Sequence, residues 1–228
     1  MKLDPSRLND PRHSAVRLLI ALVLLILTSP FVEDLPGGDL IEAILLTVVM
    51  VSAVRAVGGK RRTFIIAVVL VAPILAGKWI NHFRPDLVPA VAFLLPTVIF
   101  FGFVVAHLLR FLVRAPRVDS NVLCAGIAGF LMLGLLWTPL YVTVARLNPS
   151  AFAVASSPAA GTTLDGFNGF YFSFITLCTV GYGDITPVSR AAKMLAVVEA
   201  ITGLFYMAVL ISRLVSMHSS ARDPGETD

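Results

Sequence analysis

Thr179-Val180-Gly181-Tyr182-Gly183-Asp184 decides how this chain is read. Glycine at every second position lets a backbone alternate between ordinary and φ > 0 conformations without steric penalty. Such an alternation turns successive carbonyl oxygens to one side, where together they can replace the water around a dehydrated cation. Thr179 can add a hydroxyl oxygen at the inner end of the row. Val180 and Tyr182 then point the other way and wedge the strand against its surroundings. A chance turn with two glycines would have the same spacing, but the apolar setting of this one argues against that.

Of the 228 residues, 57% are hydrophobic and 14% charged, with a mean hydropathy of +0.86. That is far too apolar for a soluble domain of this size. Crossing roughly 30 Å of hydrocarbon takes about 20 apolar residues in a helix. Six stretches qualify, near 15–32, 39–57, 63–80, 87–109, 121–144 and 191–215. A seventh, 167–178, is too short to cross and precedes the hexapeptide directly, which predicts a re-entrant helix. Irregular backbone at membrane depth is tolerated only where protein surrounds it or it lines a watery cavity. The predicted fold is therefore an all-α integral membrane protein, with six transmembrane helices, one re-entrant helix and a loop.

Basic residues set the orientation. With the N-terminus in the cytoplasm, Lys2, Arg7, Arg12, Arg17, Arg55, Lys60, Arg61, Arg62, Arg110, Arg114, Arg117, Arg213 and Arg222 all fall inside. Lys78, Arg84, Arg146, Arg190 and Lys193 fall outside or near the outer interface, as the positive-inside rule requires. Both termini are thus expected in the cytoplasm. The net charge of +4 is accounted for by these loops, so no nucleic-acid partner is implied. Residues 1–30 have a basic start and an apolar core, but Thr28-Ser29-Pro30 is a poor cleavage site, so the segment is expected to stay as the first span. Cys124 and Cys178 lie in apolar segments and imply no disulfide framework.

The expected organisation is a cytoplasmic segment 1–14, a four-helix membrane domain 15–113, a linker 114–120, a pore domain 121–216 and a cytoplasmic tail 217–228. From helix to outer loop, re-entrant helix, hexapeptide and last helix, the second half resembles the pore domain of the tetrameric potassium channel family. The resemblance is close over roughly 168–215. It implies potassium at Thr179, Val180, Gly181 and Tyr182, with Gly183 completing the row and Asp184 at the outer mouth. It also implies three identical partner subunits, since one pore loop cannot surround an ion and no second hexapeptide occurs. Phe167 to Cys178 matches the family's pore helix, whose negative end would stabilise a cation. Phe167, Phe170, Tyr171, Phe172 and Phe174 would pack a collar around the filter, with Thr176 and Thr179 on family threonines. Cys178 departs from the usual threonine or serine. Ile175 stands where some bacterial members carry a glutamate paired with the post-filter aspartate, which makes Tyr171 the candidate partner for Asp184.

On the last helix, Gly203 falls on the family's hinge glycine and equally suits close helix packing, for which Ala196 and Ala200 are also small enough. Glu199 lies roughly 12 Å into that helix, where an ionisable group is costly. It either faces the ion path or faces away and hydrogen-bonds to the pore helix, and the second placement is favoured. Ala125 and Gly129 on the preceding span read as its contact with the last helix, and Pro139 as a kink. The Ser-, Ala-, Thr- and Pro-rich stretch from Arg146 to Gly166 reads as a flexible turret.

Four spans ahead of a pore domain match the layout of voltage-gated channels, yet residues 87–109 contain no lysine or arginine. A sensor needs charge inside the field, at about 2.3 kcal/mol per charge per 100 mV. Arg110, Arg114 and Arg117 lie past the inner end, and Pro89 and Pro96 interrupt the span. Glu42 and Lys78 can snorkel to water. No metal-ligand cluster, P-loop or catalytic carboxylate pair occurs, so no enzyme and no cofactor is expected; potassium is the permeant ion. The few residues after the last helix are not expected to form a ligand-sensing domain. The expected function is a potassium-selective channel, in contact with membrane lipid and placed in a bacterial inner membrane. The alternatives are a non-selective cation channel, which Tyr182 argues against, and a potassium uptake subunit, which would carry several pore loops. A non-conducting scaffold leaves the filter without a purpose.

Overall fold

A computed structural model describes residues 14–32, 35, 37–57, 61–83, 91–115, 119–155, 164 and 166–220. Expectations for Lys2, Arg7, Arg12, Lys60, Arg84, Pro89, Arg117 and Arg222, for the middle of the linker and turret, and for most of the tail lie outside those residues.

Among the described residues, six helices are long and apolar enough to cross a membrane. They are α1 (Ser14–Val32), α2 (Gly38–Val57), α3 (Arg61–Phe83), α4 (Val91–Arg114), α5 (Ser120–Leu147) and α7 (Arg190–Ser220). Between the last two lie strand β1 (Phe152–Val154), helix α6 (Gly166–Leu177) and strand β2 (Ile185–Pro187). α4 runs unbroken through Pro96, contrary to the expected interruption. Pro96 is the sixth residue of α4 and removes one intrahelical bond, a loss that membrane helices tolerate, as Pro73 inside the unbroken α3 also shows.

Each span is apolar all round, and packing selects the stripe that turns inward. On α4, Phe100, Val104, Leu108 and Leu112 recur at four-residue spacing and are buried, while Leu95 and Ile99 are exposed. Leu18 and Leu22 on α1, and Val49, Ala53 and Val57 on α2, form the matching stripes. Exposed Leu24, Leu27, Ile65 and Val69 suit hydrocarbon, which is as apolar as they are. α1 through α4 pack on one another in sequence, and α1 and α4 both pack on α5. α5 is thus shared by the two halves, since α6 and α7 lie against it as well.

Two polar contacts fix the ends of these helices. Asp119 caps α5, its carboxylate accepting the Val122 amide at 2.8 Å, which satisfies one of the helix's unpaired first-turn donors. Near the C-terminal end of α7, Arg213 Nη2 donates to the Ala115 carbonyl at 2.7 Å and ties that helix to the chain just after α4. Lys78 and Glu42, read as separate snorkelling side chains, pair across α3 and α2 at 2.9 Å. Both remain partly exposed, so the pair adds little stability.

The described ends of the turret are held in place. Phe152, Ala153 and Val154 pair antiparallel with Pro187, Thr186 and Ile185, and Ala151, Phe152 and Leu164 are buried. The outer loop is thereby fastened to the residues that follow the hexapeptide.

Candidate functional site

At about 1.5 Å per residue, α6 spans roughly 18 Å and cannot cross a bilayer. The chain turns sharply at its end, and the following amides satisfy its last carbonyls. Cys178 N–H donates to Phe174 O at 3.0 Å, Thr179 N–H to Thr176 O at 2.9 Å and Val180 N–H to Ile175 O at 2.8 Å, with Gly181 N–H also on Ile175 O at 3.3 Å. The helix ends at Leu177, one residue before the expected end, which leaves Cys178 in the turn with its side chain exposed.

These bonds orient the carbonyls of the hexapeptide. In a trans peptide the N–H of one residue and the C=O of the preceding residue point in opposite directions. The amides of Thr179, Val180 and Gly181 all face α6, so the carbonyls of Cys178, Thr179 and Val180 all face away from it. The dihedrals keep the same sense, with φ of 56° at Thr179, 56° at Gly181 and 85° at Gly183. Every second residue is left-handed. Thr179 has a Cβ, and it carries a strain of roughly 1–2 kcal/mol that the two glycines avoid. No pattern in the sequence announced this. An added Cβ at Gly181 or Gly183 would meet nothing within 4 Å, so the dihedral and not crowding requires glycine there. Thr179 through Asp184 are exposed in the single chain, Val180 and Tyr182 among them.

At the outer end, Tyr171 Oη donates to Asp184 Oδ2 at 2.7 Å. The Ile185 amide donates to Oδ1 at 3.0 Å, and the Ala155 amide to the Asp184 carbonyl at 2.8 Å. The carboxylate is thus held by α6 and by its own neighbour, and its backbone by the turret strand. Tyr171's hydroxyl, aided by the Ile185 amide, lowers the Asp184 pKa below the usual carboxylate range. The same bond pushes the Tyr171 phenol up to about 12. A depressed carboxyl stabilises the fold at neutral pH and loses that contribution as pH falls through its folded value. Tyr171→Phe is therefore expected to move the acid limit of function to higher pH, because protonation then needs less acid. The pH profile of ion flux checks this, and an unmoved acid limb would refute it.

Behind the strand, α5, α6 and α7 meet at buried polar groups. Ser173 and Glu199 are fully buried. Ser173 Oγ lies 2.6 Å from Glu199 Oε1 and 2.8 Å from the Gly134 carbonyl. Tyr141 Oη donates to Glu199 Oε2. One turn further along α7, an added Cβ at Gly203 would lie 2.6 Å from the Leu177 carbonyl and 2.9 Å from Leu177 Cδ1. Gly203 is where the inner helix touches the end of α6.

Residues 140–220 match a family model described as "Ion channel". Over 87 residues the chain is 37% identical to Two pore potassium channel c of Oryza sativa subsp. japonica and to Two-pore potassium channel 4 of Arabidopsis thaliana. Those alignments cover 38% of this chain and 18% and 30% of the relatives. It is 34% identical over 88 residues to Protein LctB of Geobacillus stearothermophilus, covering 38% of this chain and 63% of that protein. The chain therefore spans less than two thirds of these relatives. No solved structure matches it. Residues 140–220 are thus similar to ion channels, among them proteins named as potassium channels.

The second half of the chain brings Tyr171 to Asp184, Thr176 to Thr179 through the backbone, and Ser173 to Glu199. It does not gather all the aromatics into one collar. Phe172 faces inward, 4.8 Å from the Tyr141 ring and 5.4 Å from Phe152 between centroids. Phe174 lies against Gly134, where an added Cβ would sit 2.7 Å from its ring. Phe172 and Phe174 stand about 200° apart around α6 and flank Ser173, each reaching α5 from its own side. At the α5–α7 contact Gly129 meets Tyr206, and Gly126 is a further close approach, against Leu210, with its carbonyl accepting from Tyr206 Oη at 2.8 Å; Ala125, beside them on α5, is fully buried. Ser173 and Tyr141 were missed as partners of Glu199. A buried acid requires polar neighbours, and polar residues at matching depth on the adjoining helices were the available signal.

Proposed function

We propose that the protein is a subunit of a homotetrameric potassium-selective channel that conducts K+ passively down its gradient. The observation that carries this is the carbonyl array. Oxygens of consecutive residues face one way, backed by amides anchored on a re-entrant helix, with left-handed residues at every second position. In a single chain that array is exposed at membrane depth, where unsatisfied carbonyls cost several kcal/mol each. Four copies around an axis convert the liability into a cage, and Thr179, Val180, Gly181, Tyr182 and Gly183 supply its oxygens to dehydrated K+. Asp184 braces the outer mouth. The names of the two plant relatives point to the same ion.

Exposed Val198, Ile201, Phe205 and Ile211 on α7 leave that helix an apolar surface for neighbouring copies, lipid or the pore. Residues 15–113 act as a lateral support for the pore domain 121–216, joined through α5, with both termini in the cytoplasm of a bacterial inner membrane. Gly203 allows the inner helix to bend as well as to pack.

Rubidium flux into liposomes containing the purified protein tests the proposal. Uptake down the rubidium gradient with sodium excluded is the expected result. Equal passage of sodium would indicate a non-selective pore, dependence on a coupling ion an uptake system, and no flux a scaffold; each would overturn the reading.

A further inference from the structure

The hydrogens behind the filter do not add up if Glu199 is ionised. Three short oxygen–oxygen contacts meet there: Ser173 with Glu199, Ser173 with the Gly134 carbonyl, and Tyr141 with Glu199. Each needs a hydrogen between its atoms. Ser173 and Tyr141 bring one each, and a carbonyl and a carboxylate bring none. The third must reside on the carboxyl group itself.

We infer that Glu199 is a neutral carboxylic acid and the positioning residue that sets the pore helix, and through it the selectivity filter, against the inner helix. Its acid hydrogen goes to Ser173 Oγ, Ser173 passes its own to the Gly134 carbonyl, and Tyr141 donates to the remaining carboxyl oxygen. Every polar atom of the cluster is then satisfied without a buried charge, whose desolvation would be large. The groups that reach Glu199 are Tyr141 from α5 and Ser173 from α6, and Ser173 in turn reaches the Gly134 carbonyl of α5. Among the described residues no basic side chain is paired with it.

The position of this chain of bonds gives it its effect. Ser173 lies one turn before Leu177 on α6, and Glu199 one turn before Gly203 on α7, so the two helices are fixed at two successive levels. The α6 carbonyls between those levels, of Phe174, Ile175 and Thr176, hold the filter amides. Displacing Ser173 displaces the anchor of the carbonyl row. Glu199 thereby acts on ion discrimination without touching the ion.

This inference rests on residues 179–183 being a K+ filter, and the experiment separates the two. Wild type, Glu199→Gln and Glu199→Ala are reconstituted, and rubidium and sodium fluxes, thermal midpoints and infrared spectra are recorded. Glutamine reproduces the neutral pattern, with an amide donor to Ser173 and a carbonyl acceptor for Tyr141, and is expected to keep wild-type discrimination. Alanine leaves both hydroxyls buried without this partner, and is expected to lose discrimination by about ten-fold. The carbonyl stretch of a protonated carboxylic acid is expected in wild type at neutral pH and absent from Glu199→Gln. If Glu199→Gln fails like Glu199→Ala, or if that band is missing from the wild-type difference spectrum, the inference is wrong. Should wild type carry no rubidium, the filter reading falls, while the band and the relative stability of the glutamine variant still decide the state of Glu199. Should the alanine variant not fold, the band and the glutamine fluxes decide it.

Discussion

Gly203→Ala is expected to reduce rubidium flux by at least about ten-fold and to change ion discrimination. The added methyl would sit 2.6 Å from the Leu177 carbonyl, closer than carbon and oxygen tolerate. That oxygen belongs to backbone, so no rotamer change can relieve the contact. Overpacking of this kind costs about 1–3 kcal/mol, and every 1.4 kcal/mol shifts a population about ten-fold. Relief comes only from separating α6 and α7, and α6 holds the amides of Cys178 through Gly181. The strain is therefore delivered to the filter. A pure hinge role gives a different outcome, since stiffening the helix would lower open probability and leave the rubidium-to-sodium ratio of open channels unchanged. Single-channel recording of the variant distinguishes the two. A wild-type ratio and wild-type stability would show that the contact is relieved elsewhere at no consequence to the strand.

What the sequence revealed depended on whether a feature was local. The spans were legible from hydropathy because membrane thickness dictates their length. The inward stripe of Phe100, Val104, Leu108 and Leu112 was not, because Leu95 and Ile99, which face outward, are equally apolar. In a membrane both sides of a helix meet hydrocarbon-like surroundings, and shape alone separates them. Gly181 and Gly183 stood out because only glycine adopts φ > 0 freely. Thr179 has the same φ as Gly181 and was hidden, since strain at a side-chain-bearing residue depends on what holds it there. The three amide bonds to α6 supply that hold.

Long-range pairings divided along the same line. Tyr171 was reachable as the partner of Asp184 because both flank one short segment whose geometry follows from a re-entrant helix. Glu199 announced itself as a problem, an acid in an apolar span, yet its partners lie 58 and 26 residues away and depend on how α5 and α6 are rotated. The β1 strand was overlooked because Phe152-Ala153-Val154 is short and sits among residues typical of loops; its pairing with β2 exists only once the filter brings the two segments together. Strand pairing of three residues has little stability alone, so it reports the surrounding fold more than its own sequence.

Gly181→Ala carries the other large effect, and for a reason opposite to that at Gly203. Nothing lies within 4 Å of the place an alanine methyl would take at Gly181, so no collision opposes the substitution. The obstacle is the backbone, because φ of 56° costs an alanine roughly 1–2 kcal/mol. Thr179 already bears such a strain one residue pair earlier, and the α6 amide bonds that hold it in place also hold Gly181. A second strained residue on the same short strand can relax by rotating the Val180–Gly181 peptide, which swings the Val180 carbonyl out of the row. The amide of Gly181 has the longest of the anchoring bonds, at 3.3 Å, so this peptide is the one that yields. The expected result is a folded protein, with spans and thermal midpoint close to wild type, whose rubidium-to-sodium ratio falls by about ten-fold or more. Loss of one oxygen from a cage matters more to discrimination than to stability, since sodium's hydration is replaced poorly at the best of times while potassium's replacement needs the full set. Retention of the wild-type ratio in a folded Gly181→Ala channel would mean that the Val180 carbonyl does not contact the ion.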